Sequence, residues 1–347
     1  MPRSDIFLKA CRMERTERTP IWLINQYGRY LNDYREFRQK YDFVTMLKTP
    51  EIAAKVTLAP VNEFEVDAAI LFSDAIPFLE AIGLQPIFDD SGMHLVNPIR
   101  SHADIESLVM PSMKVFDFTA DTIRTVVREL NARVPLIGFV GAPFTLACHA
   151  IEGGNSALFH KVKSLIYSDI AWWRKLMEKL STAIVDYTTM QVEAGVQVIQ
   201  VSDPFVGILS PYDFRECVMP YLQKTFYKIT ERCPHVPIIY YGNDCAGILP
   251  SMVDLGCAVV SLDWKMNLPE AWDSLGKSVA IQGNLDPALL LGAEDEMRRQ
   301  TAMVLDALRG RSGHIVNLGH SVPDATQPEM VRALVDFVHE YSADETE

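Results

Sequence analysis

Eight short apolar runs, each stopped by a small or polar residue, recur along this 347-residue chain and limit what it can fold into. They cover residues 20–25, 67–74, 135–141, 196–203, 237–243, 257–263, 278–284 and 314–320. A run such as Val196-Gln-Val-Ile-Gln-Val-Ser-Asp203 is β-branched with little polar alternation, which predicts a strand covered on both faces in a parallel sheet. Helical patterns fill the gaps. Residues 50–59 repeat apolar positions at helical spacing, and residues 171–193 form a long amphipathic pattern ended by Ala194-Gly195. Ser210-Pro211 and Asp286-Pro287 each set a capping residue before a proline at the first helical position.

Strand-like runs alternating with helices predict an α/β fold, a single (β/α)8 TIM barrel over residues 1–347, with 1–18 as lead-in and 341–347 as an acidic tail. A doubly wound open sheet is the rival; it usually carries a glycine-rich phosphate loop after an early strand, and this chain has none. Two segments depart from simple alternation. Residues 75–134 make an enlarged connection between the second and third strands, and Ser91-Gly92 there reads as the turn of a small hairpin. Residues 26–48 mix charge with aromatics directly after the first strand, on the face where barrels build their sites.

Charge narrows the function. Lys plus Arg number 32 against 45 Asp plus Glu, a net charge of −13, which argues against a nucleic-acid partner. No apolar run reaches the roughly 18 residues of a membrane span, and the N-terminus lacks the pattern of a signal peptide. Six cysteines, scattered at 11, 148, 217, 233, 245 and 257 without a CxxC pair, predict reduced thiols in a cytoplasmic protein. No nucleotide, zinc-protease or serine-hydrolase motif occurs, and nothing requests a metal.

The polar residues that close the runs are Asn25, Asp74, Asp203, Asn243, Asp244, Asp263, Asn284 and His320. In a barrel they converge on one mouth, although each also suits a helix cap or a turn. Asp74 stands out because its neighbours, Leu71-Phe-Ser and Ala75-Ile-Pro-Phe-Leu, are greasy, so a carboxylate there needs a partner or a ligand N–H. Arg29 and Arg35 flank Tyr27, Tyr30 and Tyr34; arginine forks suit carboxylate ligands, and tyrosines suit an organic ring.

From Phe7 to the last helix the chain resembles uroporphyrinogen decarboxylases. The resemblance is carried, in order, by Thr19-Pro-Ile-Trp, Gly28-Arg-Tyr-Leu with Tyr34-Arg-Glu, the run 67–74, Gly138-Phe-Val-Gly-Ala-Pro-Phe-Thr-Leu, Ile151-Glu-Gly-Gly, Leu262-Asp-Trp, Gln282-Gly-Asn-Leu-Asp-Pro and Asn317-Leu-Gly-His. It implies a single barrel, a cytosolic homodimer, and removal of four acetate carboxyls from uroporphyrinogen III without metal or organic cofactor. It also implies Asp74 as the carboxylate beneath the pyrroles and Arg29 as a carboxylate clamp that shares in proton delivery. Asn25, Gln26, Tyr27, Gly28, Arg35, Phe139, His149, Asp203, Pro204 and His320 would complete the tetrapyrrole pocket.

The match breaks at informative places. The family's first-loop motif reads Arg-Gln-Ala-Gly-Arg, where this chain has Asn25-Gln-Tyr-Gly-Arg29. His149 replaces a tyrosine, Pro204 a serine, Asn243 a lysine, and Ser321 a glycine. One expectation is a divergent decarboxylase in which protonated His149 restores some of the lost charge. The others are a paralogue with a different, less anionic ligand, and a non-catalytic tetrapyrrole-binding protein.

Overall fold

Seven of the eight apolar runs become strands of one parallel sheet in the computed structural model, which describes residues 4–89, 92–276 and 278–343. The strands are β1 (Ala69–Ile70), β4 (Leu136–Gly141), β5 (Val198–Asp203), β6 (Ile238–Gly242), β7 (Val259–Ser261), β8 (Ala280–Gln282) and β9 (His314–Ile315). They lie side by side in that order, so each connection returns the chain to the next position of a curled sheet. β2 (Pro86–Asp89) and β3 (Gly92–Leu95) form the antiparallel hairpin expected in the long second connection; Ser91 of its turn lies outside the described residues.

The expected closed eight-stranded ring is an open sheet instead. The first run joins it through an isolated bridge, Ile21 to Val316, and Asp67 N–H donates to the Ile21 carbonyl at 2.8 Å. The reason is chemical. Pro20 has no N–H, and side chains capture three of the next four: Ile21 donates to Asp67 Oδ2 (2.9 Å), Leu23 to Gln26 Oε1 (3.2 Å) and Ile24 to Asn317 Oδ1 (2.8 Å). Backbone donors spent on side chains are unavailable to a ladder. Asp67 is fully buried here and also takes two bonds from Arg18 (2.7 and 2.6 Å) and one from His339 (3.0 Å). The lead-in, the first run and the last helix (Pro328–Tyr341) are thereby tied at one point.

The long helix expected at 171–193 runs Ile170–Ala194. Asp169 accepts from Trp172 N–H at its start, and Gly195 sits at its end with φ 122°, a conformation that a Cβ penalises. Its buried face carries Trp173, Leu176, Met177, Leu180 and Ile184 and packs on β4. Truncating one such leucine to alanine costs about 2–5 kcal/mol. Gln191 on the same helix clamps the Phe139 backbone with two bonds, N–H to Oε1 at 3.1 Å and Nε2 to the carbonyl at 3.0 Å. That approach requires Gly138, where a Cβ would meet Gln191 Oε1 at 2.5 Å and Ile199 at 2.9 Å. Ser210-Pro211 opens the helix Pro211–Cys217, as expected. Asp286-Pro287 opens only a 3-10 turn, Pro287–Leu291, in place of the expected helix.

Candidate active site

At the C-terminal ends of the strands lies a cavity of about 580 Å³, within the usual range for small-molecule sites. Its wall takes Asn25, Tyr27, Gly28 and Arg29 from the loop after the first run, and Asp74 from just beyond β1. Phe139 comes from β4, His149 from the helix Pro143–Glu152, Pro204 from the end of β5 and His320 from the end of the last run.

Asp74 projects into this cavity from the apolar segment Leu71-Phe72. Its Oδ1 accepts from Ile76 N–H at 3.0 Å, so half of its expected capping role is real. No ion pair reaches it among the described residues. Burial pushes its carboxyl up to about 6, and the backbone N–H groups of Ile76 and Ala75 oppose only part of that shift. The greasy side of the wall is organised by Phe72, whose ring meets Tyr27, Tyr34 and Phe43 edge-on at centroid distances of 4.9, 6.1 and 5.6 Å. Tyr27 OH donates to the Ser73 carbonyl at 3.4 Å, fixing the residue next to Asp74.

Arg29 stands at the rim, 63% exposed, with its Nε 3.8 Å from Asp324 Oδ2. Asn25, at φ 49°, donates from Nδ2 to Ser321 Oγ at 2.8 Å, so two departures from the family motif bond to each other. His149 packs edge-on against Phe205 at 5.2 Å, and burial lowers its pKa to about 4. It is neutral at pH 7, and the expected positive charge at this position is corrected accordingly. His320 is an exposed rim residue whose pKa is lowered by partial desolvation; Asp263 raises it and Lys265 lowers it further.

Three of the expected pocket residues stand outside the wall. Gln26 is buried beneath it, with its amide bridging Leu23 N–H and the Ala68 carbonyl (3.0 Å). Arg35 is exposed and clips its own loop, donating to the carbonyls of Arg29 (2.8 Å) and Tyr30 (3.2 Å) and to Asn32. Asp203 is fully buried behind the wall, accepting from Thr145 Oγ1 at 2.6 Å and Tyr240 OH at 3.0 Å. Desolvation raises its carboxyl to about 7, and those two hydroxyls oppose the shift.

Gln200, Ser202 and Tyr241 also line the cavity and were not anticipated. For Gln200 and Ser202 the signal is polar residues at alternate positions of an otherwise apolar strand, because positions i and i+2 share a face. Gln200 is 2% exposed and its Oε1 has no hydrogen-bond partner, an arrangement that a ligand donor would complete.

The uroporphyrinogen decarboxylase (URO-D) family model matches residues 2–341. The uroporphyrinogen decarboxylase of Roseiflexus sp. (strain RS-1) is 44% identical over 343 residues, spanning 97% of this chain and 99% of that relative. The chain belongs to the uroporphyrinogen decarboxylase family. The uroporphyrinogen decarboxylase of Thermodesulfovibrio yellowstonii is likewise 44% identical, with 97% and 98% covered. That of Chloroherpeton thalassium is 41% identical, with 99% and 98% covered. Among solved structures, a methyltransferase from Methanosarcina mazei superposes with a TM-score of 0.81 at 20% identity over 98% of this chain and 99% of that one, a likeness of fold. Among the described residues of this family member, no group of three or more His, Cys, Asp or Glu side chains is placed to hold a metal ion. No helix among them is long and apolar enough to cross a membrane.

Proposed function

We propose that this chain removes the acetate carboxyls of uroporphyrinogen III to yield coproporphyrinogen III. The observation that carries this reading is Asp74, a carboxylate without a cationic partner that projects into the cavity from an apolar wall. Protonating the pyrrole carbon that bears an acetate turns the ring into a cation. The C–CO₂⁻ electron pair then flows into the ring, CO₂ leaves, and protonation of the exocyclic carbon with loss of the ring proton yields a methyl group. Each cycle consumes one proton and releases one CO₂. A fixed anion near the pyrrole N–H groups favours the cation, and a poorly solvated one does so more strongly than it would in water. Arg29 at the rim meets a peripheral carboxylate, and the neutral donors Asn25 and Ser321 meet others. The ring is its own electron sink, so this chemistry asks for no metal or organic cofactor.

Anaerobic incubation with uroporphyrinogens I and III, followed by chromatography of the oxidised products, tests the reading. Coproporphyrin and its five- to seven-carboxyl intermediates are expected; absence of all of them at stoichiometric enzyme overturns it.

The charge of the wall favours a second reading, turnover of a tetrapyrrole with fewer carboxylates. Among the described lining residues Arg29 is the one permanent cation, set against Asp74 and Asp324, while His149 is neutral. A higher kcat/KM for a penta- or hexacarboxylate porphyrinogen than for the octacarboxylate would select this reading. Self-association and a cytosolic location belong to the same proposal. The exposed apolar side chains Ile87, Phe88, Leu158, Tyr167 and Tyr212 support the former, and sedimentation of a dimer at micromolar concentration tests it.

A further inference from the structure

A second cavity, of about 540 Å³, opens where the strands begin, at the opposite end of the sheet from the candidate active site. Its wall carries Arg15, Arg18, Arg309 and Arg311 with the hydroxyl residues Thr16 and Ser312, and no Asp or Glu among the described residues. In a chain with 45 acidic against 32 basic residues, this wall concentrates guanidinium groups, three of them paired with carboxylates, Asp67, Asp306 and Asp273, that are not part of the wall.

Three of the four arginines fall into two kinds. Arg18 is committed, both of its terminal nitrogens being held by the buried Asp67. Arg309 and Arg311 are braced from the side. Arg309 lies over the Tyr341 ring at 5.6 Å and gives one terminal nitrogen to Asp306 (2.7 Å). Arg311 lies over Trp272 at 5.6 Å and gives one to Asp273 (3.1 Å). The ring beneath braces each guanidinium, and a single-nitrogen contact leaves the rest of the fork to bind. The Arg309–Asp306 pair is solvent-exposed, and such single pairs hold weakly and exchange for a better anion.

We propose that this cavity binds a small polyanion carrying two or more phosphate or carboxylate groups, gripped by Arg309 and Arg311. The site spans the seam of the open sheet. The lead-in supplies Arg15, Thr16, Arg18 and Thr19, the loop before β9 supplies Arg309 to Ser312, and Ser342 after the last helix accepts from Thr19 N–H at 3.0 Å. A ligand bridging these segments stabilises the fold by RT ln(1 + L/Kd), L being the free ligand concentration.

Titration calorimetry with pyrophosphate and, separately, citrate tests the site, with thermal melts alongside. One equivalent of at least one anion is expected to bind with a Kd below about 1 mM, weakening as ionic strength rises, and the tighter anion identifies the class. The Arg309→Gln/Arg311→Gln double variant, checked by circular dichroism for an intact fold, should weaken binding at least about tenfold. Arg311→Lys, which keeps the charge and loses the fork, should weaken it severalfold. Porphyrinogen turnover by both variants without added anion should be unchanged. Binding of neither anion, equal affinity in the double variant, or equal loss of affinity in Arg29→Gln at the other cavity would overturn the proposal.

Discussion

Asp74 and Asp203 both close apolar runs, and burial lifts both carboxyls above their ordinary range, to about 6 and about 7. Their surroundings divide the mouth into two regions. On the Asp74 side, the carboxylate is met by backbone N–H groups of the next turn, Ile76 at 3.0 Å, and the remaining oxygen surface is left toward the cavity. On the Asp203 side, hydroxyls from a helix and a neighbouring strand occupy both oxygens, and further round the mouth the pattern repeats. Asp263 accepts from Asp244 N–H (2.7 Å) and Lys265 N–H (2.9 Å), and Asn284 donates to the carbonyls of Asp263 and Met266 (both 2.8 Å). Strand-end polarity is thus spent on holding loops in one half and left available for a ligand in the other. What other elements bring against the side chain decides which.

The most direct way to break this comparison is Asp74→Asn. If the open half does the chemistry, kcat/KM for uroporphyrinogen should fall on the order of 10²–10³-fold with circular dichroism unchanged; an unaltered rate would remove Asp74 from its role. Asp203 should answer in stability instead. Asp203→Leu strands two buried hydroxyls and should cost about 2–4 kcal/mol in urea unfolding, whereas Asp203→Asn, which resembles the protonated acid, should cost less than about 1 kcal/mol. Equal losses for the two variants would mean that the charge, not the bonding, matters there.

A smaller effect follows from titration. Both aspartates have folded pKa values above the roughly 4 of an unfolded chain, so their contribution to stability is fully present below about pH 4 and is lost as pH rises through 6 to 7. Asp203→Asn should flatten that decline. Activity should move the other way on the acid side. The working form of Asp74 is the anion, so kcat/KM should drop about tenfold per pH unit below 6, and Asp203→Asn should leave that limb in place. The smallest expected effect is Asn25→Arg, a gain of a few-fold in uroporphyrinogen turnover from one added cation. It is offset by about 1 kcal/mol of strain, because residue 25 sits at φ 49°.

The strands were legible because their apolar, β-branched runs need no partner to be recognised. The hairpin and the long helix were legible for similarly local reasons. Asp74 was legible because its own neighbours in sequence make its environment. Gln26 was not: the groups it bonds, Leu23 N–H and the Ala68 carbonyl, turn an apparent pocket residue into a buried bracket, and Ala68 lies 42 residues away. Asp203 was misjudged for the same reason, its partners lying 58 and 37 residues away. The neutrality of His149 depends on desolvation by packing across the cleft, which no spacing reports.

The first run, held by the side chains of Asp67, Gln26 and Asn317, carries a consequence for how this mouth changes over time. A strand woven into a ladder moves only if its neighbours move. A segment hung on three pegs can be re-hung by exchanging a peg. The last peg, Asn317, grips Ile24 directly before Asn25, so a substitution far along the chain would release the backbone that leads into the loop bearing Arg29. Ligand preference in such a molecule can drift through residues that no ligand ever touches.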